Sequence, residues 1–179
     1  MLTRFNELYA EITREGADEL LNYMRNAGYF EAPASSSHHL AKDGGLLEHS
    51  INVTETLLKL AKAVDSDYSR ETLIIVGLLH DLGKAGFYGK PGYVENILKS
   101  GKRSDAKPYE TNKDLLAVPH EVVAISIIPQ YMQISEDELF AILYHNGLYT
   151  SIGYQLKGKE TNLQILLHAA DMLSSRGEE

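Results

Sequence analysis

Residues 69–84 read SRETLIIVGLLHDLGK, the segment with the strongest structural signal in the chain. Ser69 is a favoured N-cap residue, and the residues after the first turn are apolar on every side of a helix, so the segment must be buried. A short β-branched run is also compatible with a buried strand, but the length of the segment favours a helix from about Arg70 to Lys84. The sequence therefore places an adjacent histidine and aspartate inside a buried helix.

Apolar residues recur at helical spacing on both sides of this segment. Over residues 1–30 the spacing predicts a helical scaffold, with Gly16 marking either a kink or a break between two helices. The other predicted helices run from about Leu46 to Val64, from Pro119 to Ile128, from Ser135 to His145 and from Thr161 to Arg176. The sequence contains no convincing strand pair. We therefore expect an all-α fold with one domain over residues 1–179, whose core occupies residues 31–176.

Residues 86–117 interrupt this pattern, because no periodicity survives there. The interval from Lys84 to Lys113 contains seven basic and three acidic residues, which gives +4 in a chain of net charge -8. We therefore predict a long, irregular, basic segment that attracts a small anionic ligand. Its aromatic residues either stack on a base or anchor an ordinary solvated loop, and they are Phe87, Tyr88, Tyr93 and Tyr109.

The composition excludes several classes of protein. The chain has no cysteine, so disulfide scaffolds, thiolate zinc sites and cysteine nucleophiles are excluded. Its negative net charge argues against a protein that coats long nucleic acid. The first residues lack the apolar region of a signal peptide, and no apolar run approaches membrane-spanning length. We therefore expect a cytoplasmic protein that associates with no membrane.

Histidine and aspartate residues occupy apolar positions in several predicted helices. The set comprises His49, His80, Asp81, His120, His145 and Asp171. An unpaired buried carboxylate costs several kcal/mol, and these helices offer few basic residues as partners. A divalent ion satisfies carboxylates and imidazoles together. Ligation without sulfur suits Mn, Fe, Co, Ni or Zn rather than Ca.

Each of these residues also has an ordinary structural explanation. A single histidine on an apolar face is more often a hydrogen-bonded core residue than a metal ligand. His145 is also favoured by the dipole at a helix C-terminus, and Asp81 can pair with Lys84 three residues further on. These explanations account poorly for the whole set, which is spread over five predicted helices.

The order of these residues resembles a known family, the HD superfamily of metal-dependent phosphohydrolases. The H…HD…D order that defines this superfamily is matched by His49, His80, Asp81 and Asp171. Residues 35–50 contain SSSHH and GGLLEHS, which look like the HH…GGLLEH signature of bacterial and phage HD proteins, and LLHDLGK resembles their LLHDxGK element. His120 and His145 fall where the dinuclear branch places two additional histidines. The resemblance covers roughly residues 30–176 and implies an HD-domain helical bundle encoded by a bacterium or a phage.

The resemblance also implies a role for each residue. Asp81 would bridge two divalent transition-metal ions. One coordination shell would be completed by His49, His80 and Asp171, and the other by His120 and His145. Lys84 would act in catalysis beside Asp81 by meeting the substrate phosphate, and we expect His39 and Lys90 to contact the substrate as well.

These roles imply hydrolysis of a phosphomonoester or phosphodiester bond in a nucleotide, dinucleotide or short oligonucleotide by a metal-activated hydroxide. The expected partner is a small phosphorylated, nucleotide-like substrate, and no oligomeric state follows from the sequence. The same six-ligand scaffold also resembles mixed-valent di-iron oxygenases, and the sequence separates the two activities poorly. A metal-stabilised ligand-binding module without turnover is a third hypothesis. It is less consistent with six ligand positions followed by Lys84.

Overall fold

The computed structural model of the protein describes residues 1–176, and most of its regular structure is helical. The helices are α1 (Leu2–Tyr9), α2 (Ala17–Asn26), α3 (Gly45–Ala63), α4 (Arg70–Leu79), α5 (His120–Ile127), α6 (Glu136–Leu143) and α7 (Asn162–Arg176). The expected helical class is confirmed in this coarse form. None of the helices in the described residues is both long and apolar enough to cross a membrane. The predicted domain continues to residue 179, and its last three residues lie outside the described part of the chain.

The core is built around α3, which packs against both α4 and α7. Helix α6 joins this bundle through contacts with α4, α5 and α7. As the sequence predicts, α4 is buried on every side from Leu73 to Leu79. Each fully buried leucine or isoleucine contributes about 1.5–3 kcal/mol, so α4 is a major source of stability. Its C-terminal end therefore delivers His80 and Asp81 into the protein interior.

Helix α4 begins as predicted but ends earlier. The Ser69 hydroxyl oxygen accepts a backbone hydrogen bond of 3.1 Å within the first turn, so the predicted N-cap is confirmed. The helix stops at Leu79, before the predicted end, and a 3₁₀ turn (Leu82–Lys84) follows. In this turn Gly83 lies so close to α5 that a Cβ atom would clash with the His120 carbonyl oxygen. The prediction of a longer helix was wrong because a contact with a distant helix, rather than local periodicity, sets the path of the chain.

Residues 1–30 contain two helices separated by a break. Helix α1 ends at Tyr9, and Gly16, with a φ of 86°, lies directly before α2, so the glycine starts a second helix instead of kinking a single one. Phe5, Leu20 and Met24 belong to the same buried cluster as the apolar residues of α3 and α4. These helices therefore contribute to the common core, and the predicted boundary at residue 30 stays a prediction.

Two small sheets lie where the sequence predicted no strands. Strand β1 (Gly86–Phe87) pairs antiparallel with β2 (Lys90–Pro91), and β3 (Tyr93–Glu95) pairs antiparallel with β4 (Tyr109–Thr111). Strands of two or three residues are too short to show an alternating pattern, which is why the prediction of an irregular segment was wrong here. Tyr109 fastens β4 to the loop before α3, because its backbone N–H donates to the Ser36 carbonyl oxygen at 3.1 Å and its hydroxyl donates to Asp43.

Candidate metal centre

The structure brings all six predicted metal ligands together. They are His49 within α3, His80 and Asp81 directly after α4, His120 at the start of α5, His145 after α6 and Asp171 within α7. His49, His80, Asp81 and His145 are at most 3% exposed. A cluster of polar groups this deeply buried is costly unless its charges and lone pairs are compensated.

Asp81 lies between two pairs of histidines. Its Oδ2 atom is 3.4 Å from the Nε2 atoms of both His49 and His80. Its Oδ1 atom is 3.0 Å from Nε2 of His120 and 3.5 Å from Nε2 of His145. Each carboxylate oxygen therefore faces its own pair of imidazole rings, as in a carboxylate that bridges two ions. Asp171 joins the first pair, because its Oδ1 atom is 3.1 Å from Nε2 of His49.

Contacts behind the rings determine which nitrogen faces the cluster. Nδ1 of His80 and Nδ1 of His145 each lie 2.8 Å from the carbonyl oxygen three residues earlier in the chain. A carbonyl oxygen only accepts hydrogen bonds, so each Nδ1 carries the proton and each Nε2 presents a lone pair to the cluster. Nδ1 of His120 lies 3.2 Å from a carboxylate oxygen of the buried Glu121, which has the same effect.

The facing lone pairs fit a site for divalent ions. Nε2 of His80 lies 3.3 Å from Nε2 of His49, and Nε2 of His120 lies 3.4 Å from Nε2 of His145. A cation beside such a pair can be bound by both nitrogen atoms when neither carries a proton. Within residues 1–176, potential ligand atoms within 4.8 Å of one another occur in two groups, His49 with His80 and Asp171, and His80 with Asp81 and His145. Imidazole nitrogen and carboxylate oxygen together suit a transition metal.

The two carboxylates and His80 have the protonation states that metal ligands need. Burial alone would raise the pKa of Asp81, but the ammonium group of Lys84, followed by the neighbouring His80 ring, holds that pKa well below its usual range. Burial also disfavours the charged form of Asp171, yet its hydrogen bond with His49 keeps the pKa of Asp171 low. Burial lowers the pKa of His80 itself. At neutral pH both carboxylates are therefore ionised and His80 is neutral.

Lys84 is the predicted catalytic lysine, and it lies directly beside the cluster. Its Nζ atom is 2.6 Å from Oδ2 of Asp81, and its side chain is 18% exposed. The 3₁₀ turn after α4 points this lysine back toward the doublet three residues earlier. An ammonium group in this position is available to an anion that approaches Asp81.

Sequence reasoning missed two polar residues at the cluster. Nδ2 of Asn146 lies 3.0 Å from Nε2 of His145 and 3.5 Å from Nε2 of His120. Glu121 lies behind the His120 ring, as described above. The only sequence signal for either residue is that each directly follows a predicted ligand. Adjacent residues in a helix usually point in different directions, so this signal is weak.

The two predicted substrate-binding residues lie in different cavities. A cavity of about 370 Å³, which we call the histidine cavity, is lined by residues that include His39, His49 and Asp171. The ring centroid of His39 is 5.5 Å from that of His49. Lys90 lines another cavity, where its Nζ atom donates a hydrogen bond of 2.8 Å to the Asp114 carbonyl oxygen. The structure therefore does not bring His39 and Lys90 together.

The second cavity has a volume of about 500 Å³ and is called here the aromatic cavity. Its lining includes three of the four aromatic residues that the sequence singles out, Phe87, Tyr88 and Tyr93. Lys84 lines both cavities, and His120 lines the aromatic cavity. The candidate metal centre therefore lies where the two cavities approach each other.

The positive charge of residues 84–113 does not form one basic surface. Lys113 pairs with Glu110 at 3.0 Å, and Arg103 pairs with Glu95 at 3.3 Å. Three further lysines line neither cavity, and they are Lys99, Lys102 and Lys107. The predicted long basic segment is therefore not confirmed as a unit. Its charges are divided between local ion pairs, solvent and the neighbourhood of the candidate metal centre.

Comparisons with known proteins agree with this arrangement. The family model described as HD domain matches residues 46–176. The chain is 43% identical over 58 residues to a dihydroneopterin 2′,3′-cyclic phosphate phosphodiesterase of Methanocaldococcus jannaschii, an alignment that covers 30% of this chain and 23% of that protein. It is 34% identical over 102 residues to a symmetrical bis(5′-nucleosyl)-tetraphosphatase of Staphylococcus aureus, covering 54% of this chain and 46% of that protein. No solved structure gives a significant match.

The chain thus spans less than half the length of either relative. The family match is much broader, because it extends from the start of α3 to the end of α7. All six residues of the candidate metal centre lie within the matched range. On this evidence the chain belongs to the HD domain family.

Proposed function

We propose that the protein is a metal-dependent phosphohydrolase that cleaves a phosphoester bond in a small, nucleotide-like substrate. The observation that carries the proposal is the position of Asp81, whose two carboxylate oxygens each face a pair of imidazole Nε2 atoms. The names of the two relatives support it, since one denotes a phosphodiesterase for a cyclic phosphate of dihydroneopterin and the other a hydrolase for a bis-nucleosyl tetraphosphate. Both names describe a heterocyclic compound that carries phosphate.

The cofactors in this proposal are two divalent transition-metal ions chosen from Mn, Fe, Co, Ni and Zn. One would be held by His49, His80 and Asp171, the other by His120 and His145, and Asp81 would contribute to both. When bound, such ions polarise phosphate oxygens and lower the pKa of a coordinated water. Glu121 would keep the lone pair of His120 directed at its ion.

The remaining residues act on the substrate itself. Lys84 would hold an oxygen of the scissile phosphate, because its ammonium group already lies beside Asp81 and borders both cavities. It would thereby stabilise the negative charge that grows in the transition state. Asn146 adds amide donors on the side of His145. His39 and Lys90 would contact parts of the substrate that are further from the reacting phosphorus.

The di-iron oxygenase hypothesis gains no support from the comparisons, because both relatives are hydrolases by name. The ligand set alone does not distinguish the two chemistries. The proposal of hydrolysis therefore draws on the relatives and on Lys84 as well as on the cluster.

A substrate panel tests the proposal. The protein is loaded with Mn and offered nucleoside 2′,3′-cyclic phosphates, dinucleoside tetraphosphates and nucleoside monophosphates, and the products are separated by chromatography. We expect metal-dependent cleavage of at least one class, and no cleavage by the Asp81→Asn variant. Elemental analysis should find about two ions per chain in the wild-type protein and about one in a His120→Ala/His145→Ala double variant. An iron-loaded protein that consumes oxygen while the panel stays intact would contradict hydrolysis.

A further inference from the structure

The turn between β1 and β2 holds a tyrosine in an unfavourable backbone conformation. Phe87 pairs with Lys90, so the turn consists of Tyr88 and Gly89. Their φ angles are 52° and 71°, which places both residues in the left-handed region. A two-residue hairpin turn with two positive φ angles favours Asn-Gly, because most side chains clash with the backbone in this region. Tyr88 is thus a poor choice for its position as far as local stability is concerned.

Burial does not compensate for this strain. The Tyr88 residue is 82% exposed, and its ring packs against that of Phe87 with the centroids 4.2 Å apart. A large aromatic side chain that is both strained and exposed contributes little to the folded protein by itself. Strained residues that persist in this way are concentrated at functional sites.

The cavity that Tyr88 lines indicates which function this residue has. Tyr88 lines the aromatic cavity, and its volume of about 500 Å³ lies in the range of small-molecule sites. The same lining includes Lys84 and His120, which belong to the surroundings of the candidate metal centre. It also includes the apolar residues Leu115, Val118 and Val123. A flat ring bound among these groups would leave an attached phosphate near Lys84.

We propose that Tyr88 is a stacking platform for a heteroaromatic ring of the substrate and that the aromatic cavity holds this ring. The inference rests on the proposed function for the position of the phosphate, and it adds the residue and the cavity that bind the group attached to that phosphate. Stacking on an aromatic side chain suits a nucleobase or a ring of similar size, because every such ring has a π-face. In the left-handed conformation of Tyr88, its side chain lines the cavity while remaining largely exposed.

The test measures binding instead of turnover, so it does not depend on the proposed reaction. Calorimetry with the Mn-loaded protein compares the hydrolysis-resistant phosphonate analogues of adenosine 5′-monophosphate and ribose 5-phosphate, two ligands that share the sugar and the phosphonate and differ in the base. We expect the wild-type protein to bind the adenosine ligand roughly tenfold or more tightly, in line with base stacking on an aromatic residue. The Tyr88→Asn variant should lose this difference and retain its affinity for the ribose ligand. Tyr88→Phe should retain the difference.

Thermal unfolding separates this role from a structural one. Asparagine suits the left-handed region, so Tyr88→Asn should melt about 2–4 °C higher than the wild-type protein while it binds the adenosine ligand more weakly. The exposed Tyr154 lines neither cavity, and Tyr154→Asn should leave the binding difference intact. Equal wild-type affinity for the two ligands, binding of neither, or full adenosine affinity in Tyr88→Asn would each overturn the inference. Base-dependent binding without any hydrolysis would instead contradict the proposed function alone.

Discussion

Two regions of the protein bury carboxylates, and they compensate the charge in different ways. Glu138 in α6 is fully buried, and both of its carboxylate oxygens lie 2.6 Å from guanidinium nitrogens of Arg14. Asp81 and Asp171 face mainly imidazole nitrogens. Among the contacts described above, Lys84 is the one lysine beside them. The first region is complete within the chain. In the second region the chain supplies only part of the positive charge that the two carboxylates need. This property is expected of a site that binds added cations.

The largest effect on stability should come from breaking the complete pair. Arg14→Ala leaves Glu138 buried without its cation, which costs about 3 kcal/mol because the broken pair retains an uncompensated charge. Urea unfolding of the metal-loaded protein measures this loss. Arg4→Ala is the matched control, since its ion pairs with Glu7 and Glu55 are exposed and contribute at most about 1 kcal/mol. Equal losses in the two variants would mean that Glu138 is not a buried charge in solution.

Removal of metal should have an effect of similar size on the second region. If the ion is present at about 100 times its dissociation constant, chelation removes about 2.7 kcal/mol of stability, which corresponds to a decrease of about 5–10 °C in melting temperature. Calorimetry with and without chelator at neutral pH measures the shift. Asp171→Asn should shrink it, whereas Arg14→Ala should not. A melting temperature that is indifferent to chelation would show that the carboxylates hold no metal.

A substitution of Lys84 tests whether this lysine only stabilises a buried carboxylate, as Arg14 does, or acts in catalysis. We expect Lys84→Ala to lower kcat by about 10²-fold, because the lysine acts on charge that develops in the transition state. In contrast to Arg14→Ala, it should change the stability and metal content of the loaded protein little. Steady-state kinetics and elemental analysis provide both readouts, and Lys102→Ala, at an exposed position outside both cavities, is the control. A variant with normal kcat and lowered stability would make Lys84 a structural partner of Asp81.

The smallest expected effect is a pH dependence of stability that arises from the ion pair of Arg14 with Glu138. Burial tends to raise the pKa of Glu138, but Arg14 outweighs it and lowers that pKa below the ordinary value of 4.5. A depressed pKa in the folded state means that the stabilisation is fully present above about pH 4.5 and is lost as the pH falls through the lower, folded-state value. Urea unfolding between pH 6 and pH 3 should therefore show a stability gap between the wild-type protein and Glu138→Gln that narrows on acidification. A gap that widens would refute the assignment.

The sequence predicts those parts of the fold whose signals are local. The burial of α4 follows from seven consecutive residues, and the capping box of α6 is confirmed by both of its hydrogen bonds, between Ser135 and Glu138. The short strands β1 to β4 could not be predicted, because their pairing depends on partners and not on a pattern within two or three residues. The same reason explains the pairing of Arg14 with Glu138, which are far apart in the sequence.

In the candidate site, too, some features follow from the sequence and others depend on tertiary packing. The order of histidines and aspartates in the chain, through its resemblance to the HD superfamily, predicted that six side chains would meet. It could not reveal that Asn146 completes the surroundings of His120 and His145, since that depends on how the end of α6 lies against α5. Nor could it separate His39 from Lys90, because the two cavities are created by the packing of the strands against the helices and the loop before α3.

The contact between Gly83 and α5 fixes one main-chain distance in the candidate metal centre. Gly83 lies two residues after Asp81, and the atom that it approaches is the carbonyl oxygen of His120. This contact joins one main chain to another, so no change of rotamer can lengthen or shorten it. The distance from the backbone of Asp81 to that of His120 is therefore set by main-chain packing. A change in the separation of the Asp81 carboxylate and the His120 ring would have to come from rotation of the side chains.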